Sequence, residues 1–400
     1  MKNKKGISIP LAAALSFSSI IGAGVIFVPR EIHAIAQGYD VAVMISGFAL
    51  SIVMCVMIAS LSFGNGRDGM SLPRILESSL EGIDASFAPG LMSLALLLGL
   101  PVAALYAAEI ISLFVPWLGG QEPPVAGLIL TVALLVNLFE SRLSSMVQAV
   151  IVGAICLACI LLFREIDTPH AVMPSGHTSL SSLATAMLMS ILAFAGLENM
   201  PSISSYFRGG KKSFFFAMLI GSALSLAVYL TVLLLVRTQP DGPQMSSVSW
   251  LMPSGDTSIT LRIAAILMVL AVFANIITWN IGMTATWMEL LQLSSTRSRM
   301  LIQCATAGGY LVVLGLIFSG TVGSQHAVAQ AGAIFGSIYI LLAVACIRRP
   351  PDKIIKWLAL GLMVIMTIIL ALNPIYLLLP VAVLGVAGFS ASHRKGRMQP

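Results

Sequence analysis

The first residues of this sequence whose types and spacing could do chemistry lie in an apolar segment near its start, Ser18–Pro29. The segment reads SSIIGAGVIFVP, in which Gly22 and Gly24 flank Ala23, and glycine weakens an α-helix. An unwound turn there would expose backbone N–H groups at a half-helix N-terminus, which attracts a carboxylate. We therefore expect the amides of Ala23, Gly24 and Val25 to hold a carboxylate. The alternative is that the small residues form a packing face between helices.

A second interruption occurs in the sixth apolar run of the chain, at Phe194–Pro201. Its sequence, FAGLENMP, places Gly196 and a proline on either side of Glu198. If the helix unwinds here, carbonyl groups near Phe194 and Ala195 would hold an ammonium group. Two interrupted segments at corresponding positions of two halves are typical of a transporter binding site.

Two carboxyl groups inside apolar runs are candidates for carrying a proton. Ionisable side chains within a membrane are costly and are functional hypotheses by default, which singles out Glu109 and Glu198. The alternatives are that Glu198 caps the broken helix and that the Glu109 side chain reaches the outer aqueous mouth.

The ion that these groups would couple to is expected to be a proton, and sodium stays open. A sodium site needs oxygen ligands, for which backbone carbonyls near Gly22 and Val25 and the side chains of Asn275, Thr278 and Asn280 are available. We expect no bound metal and no organic cofactor.

These segments must be positioned by helices that cross a membrane. The chain has 400 residues, of which 58% are hydrophobic and 10% are charged, and its mean hydropathy is +0.97. Because a soluble domain has about 25% charged residues, the composition excludes a soluble enzyme, a disordered chain and a disulfide-stapled module. Twelve apolar runs of roughly spanning length are present, at 7–36, 41–63, 88–116, 124–140, 144–163, 183–207, 213–237, 257–292, 299–319, 326–347, 354–371 and 373–390.

The distribution of basic residues predicts the orientation of these spans. With the N-terminus inside, 18 of the 22 lysines and arginines fall in inner segments, as the positive-inside rule requires. We therefore expect a multi-pass protein of a bacterial inner membrane with both termini cytoplasmic. The same rule accounts for the net charge of +6, so no nucleic-acid partner is expected.

Both interrupted segments resemble signatures of the amino acid–polyamine–organocation transporter superfamily. Residues 22–29 (GAGVIFVP) are similar to its first-helix signature, and residues 194–198 (FAGLE) to its sixth-helix signature. A narrower resemblance is to the bacterial methionine and branched-chain amino acid exporters. It is carried by 99–105 (GLPVAAL), 273–275 (FAN) and 331–335 (AGAIF).

The resemblance implies an all-α integral membrane protein of LeuT-like fold, with inverted five-helix repeats at 1–163 and 183–347. Two extra helices and a cytoplasmic tail would occupy 348–400. It also implies a secondary active transporter, not an enzyme, that exports methionine, leucine, isoleucine or valine in exchange for protons by alternating access. Its partners would be this amino acid and the lipid bilayer, and it would act as a monomer or homodimer.

The pocket of such a transporter would be completed by side chains of the third, sixth, eighth and tenth spans. The aromatic candidates for its walls or gates are Tyr106, Phe194, Trp279 and Tyr339, and the polar ones are Asn275 and Thr278. The sequence departs from the family after the sixth span, where 205–212 lacks the usual acidic residues and proline. It departs again at 282–286, where related exporters carry an arginine.

Other functions fit parts of the sequence. Proton-driven uptake of amino acids or amines, and transport of an antimetabolite, would use the same backbone site. A distant alternative is a membrane phosphatase, because Pro174–His177 (PSGH) matches the core of a phosphatidic-acid-type phosphatase signature. That chemistry also needs a basic phosphate clamp and a second, nucleophilic histidine with its carboxylate, and the sequence has no such stretch.

Overall fold

The structure, a computed structural model, describes residues 8–22, 24–36, 38–63, 69–80, 87–137, 142–164, 178–207, 210–237, 259–348 and 352–383. These residues form the helices α1 (Ile9–Ile20), α2 (Gly24–Ala36), α3 (Asp40–Ser62), α4 (Leu72–Ser79), α5 (Phe87–Phe114), α6 (Glu122–Val136), α7 (Arg142–Phe163), α8 (Leu180–Ala193), α9 (Gly210–Arg237), α10 (Ile259–Leu290), α11 (Thr296–Phe318), α12 (Ser324–Arg348) and α13 (Lys353–Ala371). Short 3-10 helices lie at Pro116–Leu118, Leu197–Tyr206 and Pro374–Leu377.

Many of these helices are suited to crossing a membrane. Within the described residues, eight helical segments are long and apolar enough to span it. The pair α1 and α2, bent by 57° at the break between them, would be a ninth span. Three shorter apolar helices, Glu122–Val136, Val152–Phe163 and Pro374–Val383, overlap the remaining predicted runs. An all-helical chain with multiple candidate spans is thus confirmed over the described ranges, whereas the count of twelve, the inverted repeat and its boundaries stay predictions.

The helices differ in how much of their surface other helices cover. In α12, 67% of the most apolar stretch is buried inside the protein, against 28% in α11 and 33% in α13. Helix α12 packs against α5, α8 and α13, while α1 packs against α9. Helices α8 and α12 are therefore interior, and α11 and α13 present much of their apolar surface outward.

Both interruptions predicted in the first and sixth runs are present. Helix α1 ends at Ile20, and α2 begins at Gly24. Helix α8 ends at Ala193, and a 3-10 helix begins at Leu197, directly after Gly196 with φ of +128°. Glycine reaches a positive φ at no steric cost, so Gly196 determines where the helix changes direction.

The two breaks touch each other at Gly196. A Cβ atom at this position would lie 2.2 Å from the carbonyl oxygen of Ser19 and 2.8 Å from the amide nitrogen of Ile20. The end of α1 therefore packs backbone against backbone on the turn that follows α8. Irregular backbone at membrane depth is tolerated only where protein buries it or where it lines a cavity, and this contact provides part of that burial.

The far end of α2 is held by a buried ionic cluster. Asp40, at the start of α3, is fully buried, and its Oδ2 lies 2.5 Å from Nδ1 of His33 on α2. Arg237, the last residue of α9, donates a hydrogen bond from Nε to the same carboxylate at 3.0 Å. Burying a carboxylate is tolerable when it is paired and hydrogen-bonded. The cluster thus joins α2, α3 and α9, whereas the sequence analysis used Arg237 only as a topological charge.

Substituting Gly196→Ala should destabilise the fold by at least about 2 kcal/mol, because alanine adds strain at positive φ and a clash with Ser19. Thermal unfolding of the purified protein in detergent measures this change. The control is Gly308→Ala in α11, where the space around the new Cβ is open. That variant should be at least as stable as the wild type, since alanine favours a helix. Equal stability of Gly196→Ala and wild type would contradict the contact between the breaks.

Candidate functional site

A cavity of about 60 Å³, here termed the central cavity, lies where the two breaks meet. Its walls come from both breaks and from α5, α8, α9, α10 and α12. The lining residues are Ile20, Gly22, Gly24, Phe27, Ala95, Leu96, Gly99, Leu100, Leu192, Ala195, Tyr229, Asn275, Trp279 and Phe335. This is a mostly apolar lining with a few polar groups, a composition typical of small-molecule sites.

The Asn275 side chain from α10 lies directly over the first break. A Cβ atom on Gly22 would approach the Asn275 Oδ1 to 2.3 Å, so only glycine leaves room for the amide there. Asn275 is buried. A side-chain amide carries both a donor and an acceptor, so this residue brings both kinds of group to the unwound backbone.

Tyr229 from α9 connects the two breaks on another side of the cavity. Its hydroxyl donates a hydrogen bond to the carbonyl of Ala193, the last residue of α8, at 2.9 Å. The same hydroxyl would lie 3.2 Å from a Cβ on Gly24. The sequence analysis missed Tyr229. The available signal was a phenol in the middle of an otherwise apolar run, where a buried hydroxyl usually has a partner.

Five residues predicted for the site line the central cavity: Gly22, Gly24, Ala195, Asn275 and Trp279. Val25 is fully buried, and its amide donates to the Gly22 carbonyl at 3.2 Å. In this conformation that amide is therefore satisfied within the break. Ala23 lies outside the described residues.

Two other predicted residues lie beside the cavity rather than on its wall. The Phe194 ring is buried, with its centroid 5.8 Å from that of Tyr229 and 6.1 Å from that of Phe48. Thr278 donates its hydroxyl back to the Ala274 carbonyl on its own helix at 3.0 Å. Phe194 thus supports Tyr229, and the Thr278 hydroxyl is occupied within α10.

Tyr106 lies one layer behind the cavity wall and contacts a carboxylate that the sequence analysis overlooked. Its ring stacks on Phe27 with centroids 4.8 Å apart, and its hydroxyl donates to Glu31 Oε1 at 2.8 Å. Glu31 lies on α2 and is buried. Glu31 follows Arg30 near the end of the first apolar run. In the sequence, these two adjacent charged residues look like the point where the span leaves the membrane on its outer side. Glu109, about one turn further along α5, is partly exposed.

Glu198 caps the second break, as one of the sequence-based alternatives proposed. It is buried, and both of its carboxylate oxygens accept a hydrogen bond from the Gly196 amide at 2.9 Å. The hydroxyl of Tyr339 from α12 faces the same carboxylate. An anion is favourable at the start of a helical segment, so the carboxylate stabilises the turn that Gly196 creates.

A larger cavity of about 300 Å³, here termed the vestibule, adjoins the central cavity. It is enclosed by α1, the start of α4, α5, the 3-10 helix after α8 and the second half of α10, and Glu198 lies on its wall. Gly282, Ala285 and Thr286, from the stretch 282–286 in which the sequence differs from related exporters, also line it.

At the rim of the vestibule, Arg74 of α4 donates from Nε to Glu289 of α10 at 3.2 Å. Hydrogen bonds from Arg74 to Glu289 and Glu77 raise the pKa of its guanidinium.

Trp279 separates the two cavities. Its side chain lines both of them and is buried, and its ring meets Phe335 edge-on with centroids 6.3 Å apart. We therefore expect this indole to be the barrier between the vestibule and the central cavity.

Comparison with known proteins identifies the fold. No protein-family model matches the sequence, and no curated protein matches it. Solved structures of the manganese transporter of Eremococcus coleocola are similar to it, one of a histidine-to-alanine mutant and one in complex with an aromatic bis-isothiourea substituted compound. Their TM-scores are 0.59 and 0.58, at 12% identity over 96% of both chains. The chain therefore has the helical fold of a membrane transporter, and the narrower resemblance to amino acid transporters stays a prediction.

Among the described residues, the lining of the central cavity differs from the donor set of a metal site. These residues offer amide, hydroxyl, indole and backbone groups but no carboxylate, imidazole or thiol. Across the described residues, no group of three or more His, Cys, Asp and Glu side chains is arranged to hold a metal ion. The phosphatase-like residues Pro174–His177 lie outside the described residues.

Trp279→Ala should open the vestibule to the central cavity. In a variant without native cysteines, a reporter cysteine at Leu100, on the central wall, should react slowly with a water-soluble maleimide. Adding Trp279→Ala should accelerate that reaction several-fold, because the separating indole is gone. A reporter at Ala285, in the vestibule, is the control and should react at the same rate in both backgrounds. An unchanged rate at Leu100 would show that Trp279 is not the barrier.

Proposed function

We propose that this protein is a secondary transporter that binds a small hydrophobic amino acid, or a close analogue of one, at the paired helix breaks. The observation that carries the proposal is the central cavity, which both breaks line together with Asn275 and an apolar wall. Backbone amides at the first break would hold the carboxylate, and carbonyls near Phe194 and Ala195 would hold the ammonium. The apolar wall would take up the side chain.

The size of the central cavity supports alternating access. About 60 Å³ accommodates on the order of five water-sized volumes, which is fewer than the heavy atoms of leucine or methionine. We take this conformation to be one in which the binding site is closed around little more than solvent. Displacement of Trp279 would join it to the vestibule and admit the substrate, and rocking of the core would expose it on the other side.

Transport of a divalent metal is the second candidate, because the solved neighbours are structures of a manganese transporter. Manganese is suited to carboxylate, carbonyl and water ligands. The described residues that line the central cavity include no carboxylate. The donor set therefore favours an organic zwitterion over a metal ion as the cargo.

For energy coupling we propose a proton, with Glu198 on the vestibule side and Glu109 as the candidate further along α5. Protonation of Glu198 would neutralise the anion that caps the second break and so loosen the Gly196 turn. Sodium at the first break is the alternative coupling ion, since the Gly22 carbonyl accepts one hydrogen bond from Val25 and keeps a second lone pair. We further propose that the protein exports its substrate, lies in a bacterial inner membrane with both termini cytoplasmic, and acts as a monomer or homodimer.

Binding is tested by thermal unfolding in the presence of each of the twenty amino acids, at two pH values, with and without sodium. Methionine, leucine, isoleucine or valine should raise the unfolding temperature, and saturation at 100 times Kd corresponds to about 2.7 kcal/mol. Gly24→Leu should abolish the shift, since Tyr229 and Val28 leave no room for the added side chain. Gly308→Leu, with open space around it, is the control. A normal shift in folded Gly24→Leu would exclude this site, and a shift with Mn²⁺ alone would favour the metal candidate.

Proton coupling is tested with Glu198→Gln in proteoliposomes. The amide keeps an acceptor for the Gly196 N–H but cannot release a proton. Uptake of radiolabelled leucine should therefore lose its pH dependence while exchange of leucine across the membrane continues. Glu77→Gln, a change at an exposed carboxylate at the vestibule rim, is the control.

The phosphatase alternative is tested with a different variant. His177→Ala should leave transport intact, whereas a phosphatase would lose its activity.

A further inference from the structure

Glu31 is a buried carboxylate for which the proposed mechanism has no role. Its side chain lies within a candidate span and is only 5% exposed. Oε1 accepts the hydrogen bond from Tyr106, while Oε2 is buried and has no hydrogen-bond partner among the described residues. Burying an uncompensated charge in such surroundings costs free energy. A carboxylate at this position is therefore expected to bind a ligand.

The position of Glu31 is defined by the order of residues along the broken first span. Leu15 and Ser19 line the vestibule, and Phe27 lines the central cavity. Glu31 is about one helical turn beyond Phe27, so it lies on the side of the central cavity away from the vestibule. Helix α5 shows the same order, with Met92 in the vestibule wall and Tyr106 beside Glu31.

Among the residues that the structure describes, no cation forms an ion pair with Glu31. Helix α8, which packs against α2, has no ionisable side chain. Helix α3 brings Asp40, which pairs with Arg237 of α9 and with His33 of α2 itself. Helix α5 brings Tyr106 and Glu109, and Glu109, like Arg30 on α2, has an interaction partner. From α12, Ser324 lies beside the Tyr106 hydroxyl, and His326 faces the ring of Tyr376. Among the described residues, only Tyr106 hydrogen-bonds to Glu31.

We propose that Glu31 is a proton-binding site on the side of the central cavity opposite the vestibule, and that its protonation controls the wall formed by Tyr106 and Phe27. A proton from the aqueous phase on that side would form an O–H bond at Oε2, and Tyr106 would keep its own proton. The Tyr106 hydrogen bond would then pass from a carboxylate to a neutral acid, and such a bond is weaker. Because Tyr106 stacks on Phe27, the loosened contact frees a residue that lines the cavity. The role in coupling rests on the proposed function, whereas the proton site itself does not.

Infrared difference spectroscopy of the purified protein without substrate tests the proton site directly. As the pH is lowered, the wild type should gain the C=O stretching band of a buried carboxylic acid. Glu31→Gln should lose the component of this band that comes from Glu31, and Tyr106→Phe should shift that component to higher frequency because one hydrogen bond is gone. Glu122→Gln, a change at a carboxylate near the start of α6, should keep it. Identical spectra of wild type and Glu31→Gln at every pH would overturn the proposal.

The role in coupling is tested in proteoliposomes with radiolabelled L-leucine as the probe. Glu31→Gln keeps an oxygen that can accept from Tyr106, so leucine exchange at equal pH should continue. Accumulation driven by a pH gradient should be lost. Accumulation equal to that of wild type would overturn the role in coupling even if the infrared band titrates. Absence of any leucine transport by the wild type would count against the proposed function alone, since the spectra still decide whether Glu31 binds a proton.

Discussion

The contact between the two helix breaks is the constraint on which the rest of the structure depends. Where a span unwinds, its amides and carbonyls lose their helical partners, and lipid offers none in exchange. The chain solves this by placing one break against the other, with Gly196 close to the backbone of Ser19. A side chain at Gly196 would separate the two segments and leave both sets of polar groups without protection.

Neighbouring helices complete this protection with single polar side chains. Tyr229 donates to the carbonyl at the end of α8, Glu198 accepts from the amide of Gly196, and Asn275 covers the first break. Each comes from a different helix or turn, so the breaks are held by the whole interior rather than by their own segments. Tyr229 and Asn275 border the space that remains, which is the central cavity. Stability of the irregular backbone and the existence of a site therefore have one origin.

Part of this arrangement could be predicted from the sequence. Glycine and proline interrupt the first and sixth apolar runs, and such residues act locally, so both breaks were correctly located. Asn275 was identified as a span-eight oxygen ligand for sodium and as part of the stretch 273–275 that resembles the exporters. Tyr229 and Glu31 were missed because their significance depends on partners far away in the chain, Ala193 and Tyr106.

Helix faces were the other limit of sequence-based prediction. Where every side of a span is apolar, hydrophobic periodicity does not show which side turns inward. Tyr106 was therefore expected on the pocket wall, whereas Phe27 stands between it and the central cavity. Which of two aromatic residues forms a wall is decided by packing, and that information is not contained in the local sequence.

Because the ionic cluster at Asp40 fixes one end of α2, a movement of this helix would be a rotation about that end. The helix has 13 residues and is about 20 Å long, with one end fixed by the contact between His33 and Asp40 and the other end at the break. Rotation about the anchored end displaces each residue in proportion to its distance from that end. In such a rotation Phe27 would move further than Glu31, so a small displacement at the carboxylate would correspond to a larger displacement of the cavity wall.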